Sequence, residues 1–383
     1  MNTSVAAKPR LAFIDNLRWV MIVLVVSMHA AVTYSHLGGW YFMEDPKPDT
    51  ATMLVFAYYQ MGLQAFFMGF LFLIAGYFVP PAFDRKGLGK FLRDRFVRLG
   101  VPALIYMLVV HPFLVYWMLH DYYKIKAAPW TAYLHFLSTF RWIGGSGPMW
   151  FAVALLIFCA IYGLVRVARK SKPVNTPEAA LPTSLQIAGL ALLMGLCSFL
   201  VRIVQPMGKN ILNMQLCFFS QYIVLFTIGL IAYRRNWLQR IPYEFGMRWF
   251  KYTLVCGTLV WLAVLGATVA THSEQSVNGG FTWQSAGVCF WEAFFCLGIC
   301  LGLTVLFREK YNRQGAFEKW MTDNNFSVYM FHPPVLVAVT LVMGGIASPK
   351  LIKFAAATVL ATALTFLLSH YVFRRIPLLK RVL

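Results

Sequence analysis

Long apolar runs separated by short polar segments set the pattern of this chain. A run of about 20 apolar residues lets one helix cross the hydrocarbon core of a bilayer. The runs are continuous and lack the alternation of β-barrel strands. The pattern predicts an all-α polytopic membrane helix bundle. Ten transmembrane helices are predicted, at 17–34, 54–79, 99–119, 149–168, 184–204, 214–233, 250–270, 284–307, 326–343 and 351–373.

The composition leads to the same class of protein. Apolar residues make up 59% of the 383 residues and charged residues 13%, against about 45–50% and about 25% in soluble domains. With a mean hydropathy of +0.63, the apolar residues cannot all be enclosed in a water-soluble core. Neither a Gly/Ser-rich linker nor an internal repeat divides the chain. Residues 1–383 are therefore predicted to form a single membrane domain.

The net charge of +20 has a topological explanation, because cytoplasmic loops of membrane proteins carry an excess of Lys and Arg. With the N-terminus in the cytoplasm, 26 of the 34 Lys and Arg fall on the cytoplasmic side and 8 outside. Ten helices with both termini cytoplasmic are predicted, and no nucleic-acid partner is needed. The seven cysteines lie in apolar runs without a C-x-x-C pair, so no metal site is expected.

The first predicted helix carries four ionisable residues on one stripe: Asp15, Arg18, His29 and His36. Arg18, His29 and His36 follow one another at intervals that place each within about 20° of the next around the helix, and Asp15 deviates by about 40°. Ionisable groups at membrane depth are costly, and a functional role is the default interpretation. The alternative is an end pair between Asp15 and Arg18 with His29 as a packing residue.

A dense basic loop follows the second predicted helix, with Arg85, Lys86, Lys90, Arg93, Arg95 and Arg98. Arg95 and Arg98 are three residues apart and share a helical face. The planar guanidinium fork suits phosphate oxygens because it binds them in bidentate fashion. The alternative is ordinary topological bias together with contact to anionic lipid.

Two further residues stand out inside predicted helices. Glu292 lies in the eighth, and a carboxylate there must find a partner on another helix or stay protonated. His332 opens an H-P-P sequence in the ninth, where Pro333 and Pro334 are expected to loosen the backbone hydrogen bonding.

These residues resemble the signatures of a known family. Arg18 and His29, with ten residues between them, match the R-x10-H signature of the acyltransferase-3 family of integral membrane O-acyltransferases, and Arg95 and Arg98 match its R-x-x-R motif. Supporting segments are FLIAGYF at 72–78, PMWF at 148–151 and NNFSVYMFHPP at 324–334. The resemblance covers essentially the whole chain and is greatest to the glucan biosynthesis protein C branch.

The resemblance implies an enzyme of the bacterial cytoplasmic (inner) membrane that moves an acyl group from cytoplasmic acyl-CoA to a hydroxyl. Acetyl-CoA and succinyl-CoA are candidate donors, and a periplasmic or extracellular carbohydrate is the expected acceptor. Membrane lipid is a further expected partner, and a homodimer stays open beside a monomer. Transfer could be direct or pass through an acyl-enzyme.

The same resemblance, taken with the residues, assigns roles. His29 is expected to be the general base, because imidazole titrates near the operating pH. Arg18 would orient the donor or offset charge on the thioester oxygen, and Asp15 would hold Arg18. The remaining expected residues are Glu292 for catalysis, Arg93, Arg95 and Arg98 for CoA, and His36, Trp150 and His332 for the acceptor.

A different class of protein fits some of the same residues. A proton-coupled secondary transporter could use Arg18, His29 and Glu292 as a relay. The missing internal repeat and the arginine-rich loop disfavour it, and buried ionisable groups disfavour a purely structural, lipid-interacting protein. Dependence on acyl-CoA distinguishes the enzyme from the transporter.

The charge distribution generates a topology prediction. Reporter fusions at position 383 and near Lys126 are expected on opposite sides of the membrane, with position 383 in the cytoplasm, because Lys and Arg are retained on that side. Activity of a periplasmic reporter and of a cytoplasmic reporter at each position measures this. Both fusions on the same side would contradict the ten-helix topology.

Overall fold

The apolar runs of the sequence form long helices in the computed structural model of the protein, which describes residues 11–170 and 175–382. Within these residues the backbone forms no β-strand, only an isolated bridge between Ile211 and Met214. The fold is thus all-α, as predicted. The α-helices are α1 (Ala12–Ser35), α2 (Thr50–Gln64), α3 (Phe67–Arg95), α4 (Val101–Ile105), α5 (His111–Phe113), α6 (Pro129–Ser138), α7 (Trp150–Ala168), α8 (Ser184–Val204), α9 (Phe219–Arg234), α10 (Trp237–Arg240), α11 (Tyr243–Ala270), α12 (Trp283–Lys310), α13 (Ala316–Met343), α14 (Lys350–Tyr371) and α15 (Pro377–Lys380).

Nine helical stretches of the described chain are long and apolar enough to span a membrane, where the sequence predicts ten. The difference arises at Thr50–Met118, a single helical stretch of 69 residues that covers both the second and the third predicted helices. At 1.5 Å per residue it would measure about 100 Å, several times the roughly 30 Å hydrocarbon core. Gly87 breaks it with φ 69° and ψ 173°, a conformation that glycine adopts without strain.

Prolines change the helix type downstream of that break. Between Phe96 and Met118, three π-helical turns alternate with α4 and α5, which contain Pro102 and Pro112. Proline has no amide hydrogen and clashes with the carbonyl four residues earlier. For Pro112 that carbonyl belongs to Leu108, and it instead accepts a hydrogen bond from the Tyr133 hydroxyl at 3.1 Å. Another part of the chain thus satisfies the freed group, as the membrane interior requires.

Glycines allow α3 and α9 to pack backbone against backbone. A Cβ atom on Gly229 would lie 2.2 Å from the Leu73 carbonyl oxygen, and one on Gly76 would lie 2.3 Å from the Phe226 carbonyl oxygen. Such approach between small residues is typical of membrane helices, which associate without a hydrophobic driving force from water. It fixes α3, whose end carries the basic loop, against the bundle.

Helices α1 and α13 start at the same end of the bundle. The Asn16 side-chain amide donates to the carbonyl oxygens of Tyr311 and Arg313 at 2.7 and 2.9 Å, which joins the first turns of α1 to the segment that precedes α13. Each helix then rises about 25 Å before it reaches a histidine, His29 in α1 and His332 in α13. This common starting point places the two histidines at the same depth.

Candidate active site

Two histidines from opposite ends of the sequence meet inside the bundle. The distance from His29 Nδ1 to His332 Nε2 is 3.0 Å, a hydrogen bond, and the two rings are nearly parallel. His332 is completely buried, whereas His29 is half-buried. The structure therefore gives His29 a fully buried partner, while the residue His29 as a whole is only half-buried.

The hydrogen bonds determine which nitrogen of each ring carries the proton. His332 Nδ1 lies 2.9 Å from the Tyr329 carbonyl oxygen, and a carbonyl can only accept. Nδ1 of His332 therefore carries a hydrogen, and in the neutral ring Nε2 is the acceptor. His29 Nδ1 must then donate to it, which leaves the lone pair of His29 on Nε2. That nitrogen makes no hydrogen bond to any residue that the structure describes.

Trp40, from the loop between α1 and α2, covers one face of His29. The indole and imidazole rings are stacked at a centroid distance of 3.9 Å and an interplanar angle of 13°. The indole Nε1 is enclosed and has no hydrogen-bond partner among the described residues. A buried donor without a partner is costly. The loop therefore brings an aromatic face onto His29 and an enclosed, unused N–H group into its neighbourhood.

Charged residues hold this loop in place. The Glu44 carboxylate accepts from Lys350 and Lys353 on α14 at 2.8 and 2.9 Å, and the three side chains are largely enclosed. His36 Nε2 donates to the Glu44 carbonyl oxygen at 3.0 Å. His36, predicted to bind substrate, thus contacts the loop backbone in this structure.

The neighbouring Tyr41 fixes the other side of the loop. Its hydroxyl forms hydrogen bonds with Tyr106 at 3.0 Å and with His111 Nδ1 at 2.8 Å. Burial raises the pKa of Tyr41, so the hydroxyl keeps its proton. The Tyr41 contact adds a second attachment of the loop that carries Trp40.

Arg18 belongs to the same helix as His29 and lies nearer to the N-terminal end of α1. Its guanidinium is 3.5 Å from the Asp15 carboxylate and 4.7 Å from the centroid of the Phe78 ring. The pair between Arg18 and Asp15 agrees with the predicted spacing. Along the helix axis, about 16 Å separate Arg18 from His29. The two side chains thus occupy successive positions along α1, and the predicted catalytic role of Arg18 stays a prediction.

The segment predicted as a basic loop is helical in the structure, because Arg85 to Arg95 belong to α3 and Arg98 to the π-helical turn Phe96–Gly100. The name basic loop is kept for residues 85–98, several of whose cations form no ion pair. Asp84 pairs with Arg166 and Arg234, and Asp94 pairs with Lys86. No ion pair or hydrogen bond to a described residue engages the side chains of the remaining five, which are Arg85, Lys90, Arg93, Arg95 and Arg98. Arg95 rests on the Phe91 ring at 5.3 Å. The loop can therefore receive an anion without breaking existing pairs.

Comparison with known proteins identifies the family. The family model described as "Acyltransferase domain", that of the acyltransferase-3 family, matches residues 11–370. The protein belongs to this family. It is a multi-pass membrane acyltransferase, and the reaction of the family is O-acyl transfer.

The acyltransferase is also similar to individual curated proteins. Glucans biosynthesis protein C from Salmonella paratyphi B, Salmonella dublin and Salmonella schwarzengrund is in each case 25% identical over 400 aligned residues, which cover 97% of this chain and 94% of the relative. No solved structure matches the chain. In the described part of the acyltransferase, no group of three or more His, Cys, Asp or Glu could hold a metal ion.

Glu292 of the acyltransferase has its partner on another helix, one of the two outcomes expected from the sequence. Its carboxylate pairs with Arg202 of α8, and both side chains are buried. The Arg202 guanidinium also lies 5.1 Å from the centroid of the Phe218 ring. No hydrogen bond or ion pair joins any two of Arg18, His29 and Glu292 in the structure. The predicted catalytic role of Glu292 stays a prediction.

Trp150 belongs to an aromatic cluster at the start of α7. Its indole stacks on Tyr222 at 5.6 Å and contacts the rings of Phe72 and Phe219. The adjacent turn connects this cluster to α13, because the Tyr329 hydroxyl donates to the Pro148 carbonyl oxygen. The structure does not bring Trp150 into ring contact with His29, and its role in acceptor binding stays a prediction.

Two residues of this arrangement are absent from the sequence-based candidates. Arg202 lies at the end of a predicted helix, where it counts as a loop charge, and only Glu292 indicated that a buried cation must exist. Trp40 lies in a polar loop, and the sequence gives little indication of its position beside His29. It is an aromatic residue that follows two glycines, and a loop has no hydrophobic periodicity from which its contacts could be predicted.

The pair of Arg202 and Glu292 generates a stability prediction. Arg202→Met or Glu292→Met leaves one buried charge uncompensated, which should lower the free energy of unfolding by about 3–5 kcal/mol. The double substitution removes both charges, so it should cost less than either single one. Thermal unfolding of the purified variants in one detergent measures this.

Acyl transfer by the same double variant separates structure from chemistry. A folded double variant with parental activity assigns the pair to stability alone, and a folded but inactive one assigns Glu292 or Arg202 to the reaction. If the two single variants unfold at the same temperature as the parent, the prediction that the buried pair of Arg202 and Glu292 stabilises the fold is wrong.

Proposed function

We propose that this acyltransferase transfers an acyl group from a CoA thioester, bound at the basic loop, to a hydroxyl of a carbohydrate at His29. The observation that carries the proposal is the hydrogen bond between His29 and His332. It leaves the lone pair of His29 on Nε2 in a half-buried ring, which suits a general base. The donor would enter from the cytoplasm and the acceptor from the opposite side.

The proposed reaction needs one base and no covalent enzyme intermediate. His29 Nε2 takes the proton from the acceptor hydroxyl while its oxygen attacks the thioester carbonyl carbon. The carbon–sulfur bond then breaks, and CoA leaves as a thiolate that recovers the proton from His29. The product is an ester, and the enzyme returns to its starting protonation state. Ser27, near His29 in sequence, forms its hydrogen bonds with Tyr59 and the Leu24 carbonyl, which supports direct transfer.

His332 and Trp40 support this chemistry in different ways. His332 would act as a positioning residue, because its bond to His29 Nδ1 sets both the ring orientation and the tautomer. Trp40 presents its aromatic face to the imidazole at 3.9 Å. A cation over an indole face is stabilised by about 0.5–2 kcal/mol, so the stack favours the imidazolium that forms during attack. Its unpartnered Nε1–H is available to the oxygen of the reacting acyl group.

The donor site would extend from the basic loop toward His29. No described residue forms an ion pair or a hydrogen bond with the guanidinium groups of Arg93, Arg95 and Arg98, and of the three only Arg98 interacts electrostatically with Asp94. Such groups bind phosphate oxygens well. Arg18 lies between this loop and His29, in contact with Phe78 of α3, the helix that carries the loop. The phosphates of CoA would bind the loop, and its thioester would extend past Arg18 to His29.

The acceptor class rests on the similarity to glucans biosynthesis protein C. We propose a glucan or another glycan as acceptor, acetyl-CoA or succinyl-CoA as donor, and the bacterial inner membrane as the location. Release of CoA thiol, dependent on the glycan, distinguishes this function from proton-coupled transport, which consumes no acyl-CoA.

His29 generates the main activity prediction. His29→Ala should lower the rate of acyl transfer by about 10²–10⁴-fold, the usual contribution of a general base. His332→Ala should lower kcat less, with an unchanged KM for the donor, because the base remains but its orientation is lost. Purified protein in vesicles, acetyl-CoA or succinyl-CoA and a glucan oligosaccharide allow CoA release and ester formation to be measured together.

His370→Ala is the matched control. The His370 ring contacts the rings of Trp320 and Tyr371 and has no ring contact with His29, so this variant should keep the parental rate of acyl transfer. Near-parental turnover in His29→Ala, with the protein folded, would assign His29 to packing and remove the proposed mechanism.

The basic loop generates a separate prediction. Arg95→Lys and Arg98→Lys keep the charge and should keep the topology, but they lose the bidentate guanidinium fork. The KM for acyl-CoA should rise, with little change in the KM for the glycan. Initial rates over a range of each substrate measure both constants.

Arg248→Lys, an exposed arginine on α11, serves as the matched control for the two loop variants. Lys86→Ala should have a smaller effect than either, since Lys86 is already paired with Asp94. Unchanged donor KM in both arginine variants would leave topology as the only role of the loop.

A further inference from the structure

An apolar cavity lies within the bundle between α8, α9 and α12. Its volume is about 610 Å³, and its wall includes Leu190, Ile228 and Leu301. Protein interiors are otherwise packed with few voids larger than a water molecule, and cavities with apolar walls do not hold water. A space of this size and character fits an apolar ligand.

The hydroxyls in the wall are already satisfied. Those of Thr227 and Thr304 donate to the carbonyl oxygens of Ile223 and Cys300 in their own helices, at 2.8 and 2.6 Å. The side-chain oxygen of Gln186, an exposed residue, closes the first turn of α8 by accepting from the Thr183 amide at 3.0 Å. These three oxygens require nothing from a ligand. The matching ligand part is a hydrocarbon chain.

The cavity opens toward the outside of the bundle, where lipid surrounds a membrane protein. Ile223 and Ile231 both belong to its wall and are 53% and 37% exposed. From Ile223 in α9 to Arg235, which directly follows that helix, the chain advances twelve steps, or about 18 Å. The hydrocarbon core of a bilayer is about 30 Å thick, so this length corresponds to one acyl chain of one leaflet.

A cation without a protein partner lies at one end of the cavity. The Arg235 guanidinium rests 5.4 Å from the centroid of the Trp237 ring, and no described residue forms an ion pair or side-chain hydrogen bond with it. Its neighbours are occupied: Arg234 pairs with Asp84, and Arg240 donates to the carbonyl oxygens of Pro177 and Ala179. Tryptophan and arginine together are typical of the headgroup region, where the arginine can bind a phosphate.

We propose that this cavity is a binding site for an anionic phospholipid of the surrounding membrane, with one acyl chain between α8, α9 and α12 and the phosphate on Arg235. The lateral opening, the length, the satisfied hydroxyls of the wall and a cation without a partner among the described residues all match such a lipid. The site is separate from the pair of His29 and His332, and it does not depend on the proposed reaction.

The test measures lipid retained by the purified protein. Parent and variants are incubated in mixed micelles with equal amounts of phosphatidylglycerol and phosphatidylcholine that carry the same acyl chains, and bound lipid is counted by native mass spectrometry. The parent should retain phosphatidylglycerol in preference. Leu190→Trp fills the cavity and should reduce retention several-fold. Arg235→Ala should keep the lipid but lose the headgroup preference.

Matched controls use the same substitutions outside the cavity. Leu192→Trp places an indole on an exposed position of α8, and Arg248→Ala removes an exposed arginine of α11; both should bind lipid as the parent does. If Leu190→Trp does not fold, Ile228→Phe provides a smaller filling of the same space.

Two outcomes would overturn the proposal. One is parental retention and headgroup preference in the folded cavity variants. The other is displacement of phosphatidylglycerol from the parent by palmitoyl-CoA but not from Arg235→Ala, which would assign the cavity to the donor. Since retention is measured without acyl transfer, failure of the proposed reaction leaves this result intact.

Discussion

Pro333 has no amide hydrogen, and the carbonyl oxygen of Tyr329, four residues earlier, therefore lacks its helical donor. Within a membrane no water replaces that donor, and His332 Nδ1 takes its place at 2.9 Å. The proton on His332 is thereby fixed, and with it the proton on His29 and the free lone pair at Nε2. A missing backbone donor in α13 thus sets the tautomer of a side chain on α1. Pro333 acts here through the carbonyl that it leaves without a helical donor.

Pairing separates the structural charges from those available for ligands. Where side chains are enclosed, each charge has an opposite partner: Arg202 with Glu292, and Lys350 with Glu44. An unpaired charge in such places costs several kcal/mol. The basic loop is different, because most of its cations have no partner in the described chain and lie partly in solvent. At such partly exposed positions an unpaired guanidinium costs little free energy and can bind an anion. Exposure makes this loop suited to a ligand that comes and goes.

Much of this arrangement could be predicted from the sequence. Apolar runs fix the helices, the overall class and the membrane location, and the motifs at His29 and Arg95 identify the family. What periodicity cannot provide is contact between helices. His29 and His332 were selected for separate reasons, and nothing in either helix indicates that they meet across 303 residues. Arg202 was hidden because a residue near a helix end is indistinguishable from a loop charge. The helix count differed because the basic segment between the second and third predicted helices is itself helical, with a break at Gly87, so that the two form one stretch.

The position of His29 is fixed at both ends of α1, and this limits how a substrate can approach it. At one end Asn16 ties the helix to the backbone before α13, and at the other Glu44 connects the following loop to Lys353 of α14. His29, the proposed base, therefore rests on rigid helices, as precise chemistry requires, and His332 lies on its inner side. Trp40 covers one face from a loop that begins with Gly38 and Gly39, which are exposed. That loop is itself attached to the bundle, through Tyr41 to Tyr106 and His111 and through Glu44 to Lys353. The stacked face of His29 is therefore held closed, and a hydroxyl can reach the lone pair on Nε2 only at the edge of the ring, where that lone pair lies in the ring plane.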